Sequence, residues 1–451
     1  MKKFLTLFSL LFLTACCTTI PNFEKGKAPV VVRDTSVIIQ DDSTCIFLCV
    51  SGGGSRALTF GYYVAQSLNS VKYKTYDTLG QHITHSVLDE VDVASGVSGG
   101  SFPCAAIPIY KNHWDLFEKR AVRNNIELSI ILRLFLPWNW GSTRSEVAAN
   151  YYDKVIFDEK KFGNLSQYPI LKINSTLLAQ GTHFVFDSLT FSYINSDIYS
   201  VRVADAINSS SAFPVGFNPR TFINYTQQVP DSVLQRDRKY AAAVLNSEND
   251  MDSYLYASYR RYLNNSNLSH YLHVSDGGIA GNTGIEAVIN EMKTGGILNK
   301  AINSGKLKRL IVVMANAGTE EQSKLGTKKS APNSLKVVLA TTSIGINAIS
   351  AQRIKIVKDK MNALWQSVLE GRDYVGGVDK NLKNLEQPYF IEIGSRNLSG
   401  DLKTQFDDLP TSFYLNDKQI SIVKQAVDTL MGSNQDWNRL KKSLEQEQNK
   451  K

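Results

Sequence analysis

The segment from Val91 to Gly100 constrains the fold of this chain more than any other. An apolar run over residues 91–95 is followed at once by Gly96–Gly100, which reads Gly-Val-Ser-Gly-Gly. A buried strand that ends in Gly-x-Ser-x-Gly and continues into a helix is typical of a nucleophile elbow, because the flanking glycines, Gly96 and Gly100, allow a turn that side chains would block. The pattern therefore predicts an exposed, nucleophilic Ser98.

A second glycine-rich turn lies upstream of the first. Cys45–Val50 predicts a short buried strand, residues 51–57 read Ser-Gly-Gly-Gly-Ser-Arg-Ala and predict a turn, and Leu58–Leu68 predicts a helix. Amide groups at such a helix N-terminus are suited to bind an oxyanion. The chain contains no Gly-x-x-x-x-Gly-Lys-Ser/Thr string of a phosphate-binding loop. A dinucleotide site is the alternative, although no acidic residue ends a clear second strand about 20 residues further on.

Two more blocks follow in the order of the chain. Residues 206–219 are mostly small and polar and break at prolines. The strand predicted at Tyr271–Val274 leads to Asp276, Gly277 and Gly278. An acidic residue that closes a strand and is followed by two glycines is placed, like Ser98, on a tight turn at a strand end.

The order of these four blocks resembles the patatin-like phospholipase family over about residues 43–320. The resemblance implies that Ser98 is the nucleophile and that Asp276 is its only catalytic partner, in a Ser-Asp dyad without histidine. Many bacterial relatives carry an aspartate before the asparagine at 282, where this chain has Gly281, so no role is carried over to position 281. The residues that the resemblance assigns to the oxyanion hole are Gly52, Gly53, Gly54 and Arg56.

A Ser-His-acid triad is the competing interpretation. In α/β-hydrolases the chain order is serine, acid, histidine, yet none of the six histidines follows Asp276. A triad would have to use His183, His270 or His273 with an acid upstream. Because side chains alternate along a strand, His273 is predicted on the face opposite Asp276. We therefore expect these histidines to have packing or surface roles.

The expected function is lipid acyl hydrolysis of the phospholipase A type. Acylation of Ser98 releases an alcohol or lysolipid, and water then attacks the acyl-enzyme. The substrate partner is a membrane phospholipid or another lipid ester. An acyltransferase with the same dyad, or a non-catalytic lipid-tethered binding protein, are the alternatives. No cofactor and no metal are expected, because no Cys-x-x-Cys or His-x-x-x-His spacing occurs.

The N-terminus predicts export and lipid attachment. A basic start precedes about ten apolar residues at Phe4–Leu13, too few for a spanning helix, which needs roughly 20. The sequence Leu-Thr-Ala-Cys at 13–16 resembles a bacterial lipobox. It implies a signal peptide over residues 1–15 and lipidation of Cys16, with an ordinary signal peptide as the alternative. Since Cys17 is not aspartate, the sorting rule for such lipoproteins implies an outer-membrane location in the bacterial cell envelope.

Alternating apolar strands and helical stretches predict an α/β protein with a central, mostly parallel sheet flanked by helices. The resemblance implies the patatin-like three-layer fold. We expect a tether over residues 16–42, a catalytic domain over 43–400 and a helical extension over 401–451, in which Gln419–Lys442 has helical spacing and Glu445–Lys451 is frayed. Strands are predicted at Cys45–Val50, Val91–Ala94, Ile170–Leu178, Tyr271–Val274, Leu310–Ala315 and Tyr389–Ile393.

The net charge of +8 suits anionic lipid head groups. No nucleic-acid recognition motif is present, and nucleic acid is not an expected partner. The sequence does not indicate an oligomeric state. Three segments could either contact lipid or have an ordinary structural role. These segments are the apolar Ile126–Trp140 with its terminal Trp-Asn-Trp, the tyrosine-rich Tyr254–Tyr262 and the basic Lys324–Lys336. Core packing is the alternative for the first, a packed insert for the second and a solvated loop for the third.

Cysteine usage predicts no disulfide framework. Cys45 and Cys49 lie four residues apart on one predicted strand, about 13 Å at roughly 3.3 Å per residue. A disulfide needs Cα atoms within about 7 Å of each other. Cys104 follows shortly after the Ser98 turn.

Overall fold

The computed structural model describes residues 18–27, 43–76, 82–214, 216–226, 251–292, 296–319, 334–370, 382 and 384–449. The chain divides into two compact units. The larger unit comprises Arg33–Ile126, Ser166–Asn174 and Gly281–Lys451. The smaller unit comprises Met1–Val32, Glu127–Leu165 and Ser175–Ala280.

Ten strands are found in the described residues. They are β1 (Thr44–Val50), β2 (Lys72–Tyr76), β3 (His82–Ser86), β4 (Val91–Val97), β5 (Ile170–Leu177), β6 (Thr182–Phe186), β7 (Arg220–Ile223), β8 (Tyr271–Ser275), β9 (Arg309–Asn316) and β10 (Tyr389–Gly394).

The α-helices of the described residues are numbered in chain order. They are α1 (Gly54–Ser70), α2 (Ser101–Tyr110), α3 (Trp114–Phe117), α4 (Ile126–Leu134), α5 (Arg144–Tyr151), α6 (Ser188–Tyr193), α7 (Val203–Ser210), α8 (Met251–Leu263), α9 (Ser266–Ser269), α10 (Ile285–Glu291), α11 (Ile297–Ser304), α12 (Ser334–Leu369), α13 (Gly400–Asp407), α14 (Asp417–Ser433) and α15 (Gln435–Asn449). None of these helices is both long and apolar enough to cross a membrane.

The larger unit is built on parallel strands in the order β10-β9-β1-β4-β5, to which β5 contributes its first five residues. Every residue of β1 and β4 is buried. A parallel strand covered on both faces needs an apolar run rather than an alternating one, and β1 has such a run. Val50 at the end of β1 pairs with Gly96 near the end of β4, so the turns that follow both strands start at one edge of the sheet.

Helices cover both faces of these parallel strands. Phe47 points to one face and packs in a core cluster with Ile289 of α10, Ile302 of α11 and Val357 of α12. Side chains alternate along a strand, so Val50 lies on the opposite face. There a Cβ on Gly61 of α1 would lie 2.6 Å from a Val50 methyl group, which shows how closely α1 packs on the sheet.

The smaller unit contains the last three residues of β5, with β8 and then β7 pairing antiparallel and β6 also beside β5. Its core is aromatic. Phe184 stacks on Phe222 with ring centroids 6.0 Å apart, and Phe191 meets both rings edge-on. The expected α/β fold with a mostly parallel sheet flanked by helices is thus confirmed, with antiparallel strands in its smaller unit.

All six predicted strands form, with ends that shift by at most three residues. The helix predicted at Leu58–Leu68 begins earlier, at Gly54, because the glycines already belong to its first turn. Strands β2, β3, β6 and β7 carried no recognised signal: each has four or five residues, too few for a clear apolar period.

The C-terminal prediction needs two corrections. Gln419–Lys442 is not one helix but parts of α14 and α15, which are separated at Asn434. Residues 445–449 are not frayed but continue α15. The reason is tertiary, since Glu447 pairs with Arg309 at 2.7 Å and Lys308 at 3.0 Å. Although burial opposes it, these two cations lower the pKa of Glu447 to about 2.

Several sequence-based expectations fall outside the described residues. These are the signal peptide over 1–15, lipidation of Cys16, most of the tether over 16–42 and most of the basic run Lys324–Lys336. The described part of the predicted tether, residues 18–27, is not free: Ile20 and Asn22 are buried, and the Ile20 amide donates to the carbonyl of Thr221 at 2.8 Å.

We expect Leu440→Ala to lower the free energy of unfolding by about 2–5 kcal/mol, because Leu440 is fully buried and truncation leaves a cavity. Gln446→Ala, on the exposed side of the same helix, serves as the control. It should change the free energy of unfolding by less than about 0.5 kcal/mol. Urea unfolding followed by circular dichroism measures both. Equal effects would show that α15 does not pack on the domain.

Candidate active site

Ser98 occupies a strained turn between β4 and α2. Its φ of 48° lies in the left-handed region, which non-glycine residues rarely adopt. Such a conformation costs about 1–3 kcal/mol and persists only where surrounding contacts enforce it. The 3-10 turn Ser98–Gly100 runs directly into α2, which begins at Ser101. The strand, turn and helix expected of a nucleophile elbow are therefore present.

The glycines of this turn are required by close backbone approaches. A Cβ on Gly99 would lie 2.0 Å from the carbonyl oxygen of Gly54, and one on Gly100 would lie 2.3 Å from that of Ser51. A Cβ on Gly96 would lie 2.5 Å from Cα of Ser101. Cβ atoms do not occur at such distances. The Ser98 turn and the upstream glycine turn thus pack backbone against backbone.

The upstream turn starts α1 and brings Gly52 close to Ser98. A Cβ on Gly52 would lie 3.3 Å from Cβ of Ser98 and 2.2 Å from Oδ1 of Asn282. The Gly52 amide donates to the carbonyl oxygen of Asn282 at 2.9 Å. Asn282 was not assigned a role from the sequence, because its chain position follows the Asp-Gly-Gly block by several residues and has no local signature.

The hydrogen bonds of this turn revise the expected oxyanion donors. The Gly52 amide is engaged by Asn282 and the Ser55 amide by the carbonyl of Ser412 at 2.7 Å. Gly53 and Gly54, with φ of 142° and 61°, begin α1. The first amides of a helix have no intrahelical acceptor. Gly53 and Gly54 are therefore the better candidates, and Gly52 serves close packing.

Arg56 is buried beneath the turn. Its Nε donates to the carbonyl of Ala317 at 2.9 Å and its Nη1 to that of Leu409 at 2.7 Å. Because these two carbonyls come from distant parts of the chain, Arg56 connects the turn to the end of β9 and to the segment before α14. Backbone acceptors such as Leu409 and Ser412 leave no sequence signal, so this support could not be predicted.

Asp276 lies in the smaller unit, at the end of β8, and is buried. Its Oδ1 accepts a hydrogen bond from the Gly278 amide at 2.8 Å, across the turn that contains Gly277. Its own amide donates to Ala212 at 3.2 Å, and its carbonyl accepts from Thr176 Oγ1 at 2.8 Å. Strand β5 and the Ser/Ala-rich stretch thus fix the Asp276 backbone, and Gly278 orients its carboxylate.

His273 is exposed on β8, as the alternation of the strand predicted. Its Nδ1 lies 3.0 Å from Oγ1 of Thr221 on the neighbouring strand β7. This contact gives the imidazole a structural role within the smaller unit.

The three cysteines in the described part of the chain, Cys45, Cys49 and Cys104, are buried and free. Burial raises the pKa of each thiol and keeps it protonated. The same part of the chain holds no group of three or more His, Cys, Asp or Glu side chains arranged to bind a metal.

The sequence model of the family "Patatin-like phospholipase" matches residues 48–289, more than half of the chain. The chain therefore belongs to the patatin-like phospholipase family. No curated protein matches the chain. Among solved structures, it is similar to the crystal structure of VipD from Legionella pneumophila, with 10% identity, 93% of this chain and 73% of that chain covered and a TM-score of 0.28. A similarity at that score carries no functional argument.

Gly99→Ala should lower the initial rate of ester hydrolysis by at least about 100-fold. The reason is that the new Cβ forces the Ser98 turn away from Gly54 and from the candidate oxyanion amides. Gly432→Ala is the matched control: no atom lies within 4 Å of its Cβ position, on helix α14. Initial rates of ester hydrolysis are compared for both variants. Full activity of Gly99→Ala would contradict the close packing of the two turns.

Proposed function

We propose that this protein is a serine lipid acyl hydrolase of the phospholipase A type. The observation that carries the proposal is the left-handed Ser98 on a turn packed against the glycine turn that begins α1. Membership of a phospholipase family supports lipid esters as the substrate class. Ser98 is the nucleophile, Asp276 the general base, and Gly53 and Gly54 the oxyanion donors.

The reaction proceeds through an acyl-enzyme. The Asp276 carboxylate takes the proton of the Ser98 hydroxyl as Oγ attacks the ester carbonyl. The negative charge that develops on the carbonyl oxygen is stabilised by the amides of Gly53 and Gly54, aided by the N-terminal dipole of α1. Protonated Asp276 then gives its proton to the departing lysolipid alkoxide. Water, deprotonated by Asp276, attacks the acyl-enzyme, and Ser98 recovers its proton as the fatty acid leaves.

The family pattern pairs Ser98 with Asp276, and the local surroundings of each residue suit its role. Ser98 is half-buried, less exposed than the sequence predicted, on a strained turn beside the glycine turn that begins α1. Asp276 is held by bonds from its amide, its carbonyl and its Oδ1, so little reorganisation is needed before proton transfer. Exposed His273, bonded to Thr221, is assigned no part in the chemistry.

Ser98→Ala and Asp276→Asn should each lower fatty acid release by at least about 1000-fold, because each removes a group that acts in the transition state. His273→Ala should retain activity within about twofold. Fatty acid release from mixed phospholipid vesicles, with EDTA present, measures all three variants.

Loss of activity in His273→Ala would favour a histidine-dependent triad over the Ser-Asp dyad. A wild-type protein that releases acyl groups only when an acceptor alcohol is supplied would be an acyltransferase. Inactivity of the wild type on every lipid ester would favour a lipid-tethered binding protein instead.

We further propose that Cys16 carries lipid and anchors the enzyme to the outer membrane. Residues 18–27 do not act as a free tether in this arrangement, because Ile20 and Asn22 are buried in the smaller unit. Lipidation provides stable anchoring when more than one acyl chain is attached. Cys16→Ser should move the protein from the detergent phase to the aqueous phase in a Triton X-114 partition of bacterial extracts. Continued detergent partition of Cys16→Ser at the molecular mass of the wild type would exclude Cys16 as the anchor.

A further inference from the structure

Helix α4 and the turn after it expose an unusual amount of apolar surface. Ile126 and Ile130 on α4 are buried, which fixes one face of the helix on the protein. Six other large apolar side chains are exposed within one continuous part of the chain, here called the exposed apolar segment, residues 128–140, whereas Leu134 and Leu136 are half-buried. Its most exposed members are Leu132 (58% exposed), Phe135 (62%), Trp138 (75%) and Trp140 (67%), together with Leu128 and Ile131.

The exposed apolar segment is ordered by its own hydrogen bonds. Asn139 donates from Nδ2 to the carbonyl of Arg133 at 2.8 Å, which ties the turn to the last residues of α4. The Trp140 amide donates to Pro137 at 3.2 Å. The tryptophans are therefore presented on a defined turn.

The charge of the segment is low and of one sign. Arg133 is its only charged residue, and its guanidinium lies 4.5 Å from the ring centroid of Tyr151 while donating to the carbonyl of Ser129. No acidic residue occurs from 128 to 145. The flanking acids are Glu127, half-buried in the first turn of α4, and Glu146, bonded to Thr143. The segment itself therefore brings no carboxylate to an anionic head group, and the whole chain is basic at +8.

We propose that the exposed apolar segment inserts into the head-group region of a phospholipid bilayer and holds the enzyme on that surface. A monomeric protein rarely leaves large contiguous apolar patches in water. Tryptophan has an apolar ring and an N–H donor, and it is enriched at membrane interfaces. The nine residues of α4 span only about 14 Å, so the helix lies along the surface instead of crossing it.

Lipid is favoured over a second protein as the occupant. This choice rests on the proposed function, since an enzyme that cleaves bilayer lipids must bind their surface. The combination of two outward tryptophans, aliphatic side chains and a single basic residue also matches an anionic interface.

The position of the tryptophans is tested on full-length protein by fluorescence quenching with vesicles of phosphatidylglycerol and dibrominated phosphatidylcholine. Ser98→Ala is used as the background so that the lipids stay intact. We expect quenching in this protein, and Trp138→Phe plus Trp140→Phe should remove most of it, because bromine quenches only rings that enter the bilayer. Unquenched protein, or quenching that is unchanged in the double variant, would overturn the proposal.

The contribution of Trp138 and Trp140 to lipid hydrolysis is tested in protein that is otherwise wild type. Trp138→Ala plus Trp140→Ala should lower fatty acid release from these vesicles by about tenfold or more, since two large apolar contacts are lost. Hydrolysis of a soluble short-chain ester should stay within about twofold. Leu268→Ala plus Leu369→Ala, two exposed leucines outside the segment, is the matched control and should leave both activities unchanged.

The two experiments separate the possible failures. A wild type that is inactive on both substrates but quenched by brominated lipid would contradict the proposed function and leave the lipid-binding surface supported. Equal loss on vesicles and soluble ester would overturn the surface role in favour of a structural one. Concentration-dependent self-association that the double alanine variant abolishes, without lipid quenching, would make a second copy of the chain the occupant.

Discussion

Direct backbone contact between two glycine turns is the constraint on which the candidate site depends. The Ser98 turn follows β4 and the glycine turn that begins α1 follows β1, and these strands are parallel neighbours. The turns can meet only because Gly99 and Gly100 have no Cβ, which would lie within 2.0–2.3 Å of carbonyl oxygens of the facing turn. A side chain at either position would separate Ser98 from the amides that begin α1.

This contact also explains how Ser98 can keep a left-handed φ. The cost of that conformation, about 1–3 kcal/mol, must be offset by surrounding structure. Part of the support comes from beyond the matched family segment, which ends at residue 289. Arg56 donates to Ala317 and Leu409, and the amide of Ser55 donates to Ser412. The C-terminal part of the chain thus supports the backbone of the candidate site.

The proposed interfacial surface and the proposed chemistry place different demands on the chain. The proposed chemistry needs a close-packed backbone, which the glycines permit because they have no Cβ. Lipid binding needs apolar side chains that the fold leaves in water, and 128–140 provides them on a turn fixed by Asn139. The two features lie in different parts of the chain and rest on different residues.

Six strands, the fold class, the family and both glycine turns could be predicted from the sequence alone. Each depends on neighbouring residues, because apolar runs define buried strands and glycines define tight turns. Three features could be seen only in the folded protein: the carbonyl of Asn282 accepts from the Gly52 amide, Glu447 keeps α15 helical to Asn449, and Trp138 is exposed. These outcomes depend on partners far away in the chain. Backbone carbonyls accept hydrogen bonds in any residue, and an apolar run has the same pattern whether it is buried or left in water.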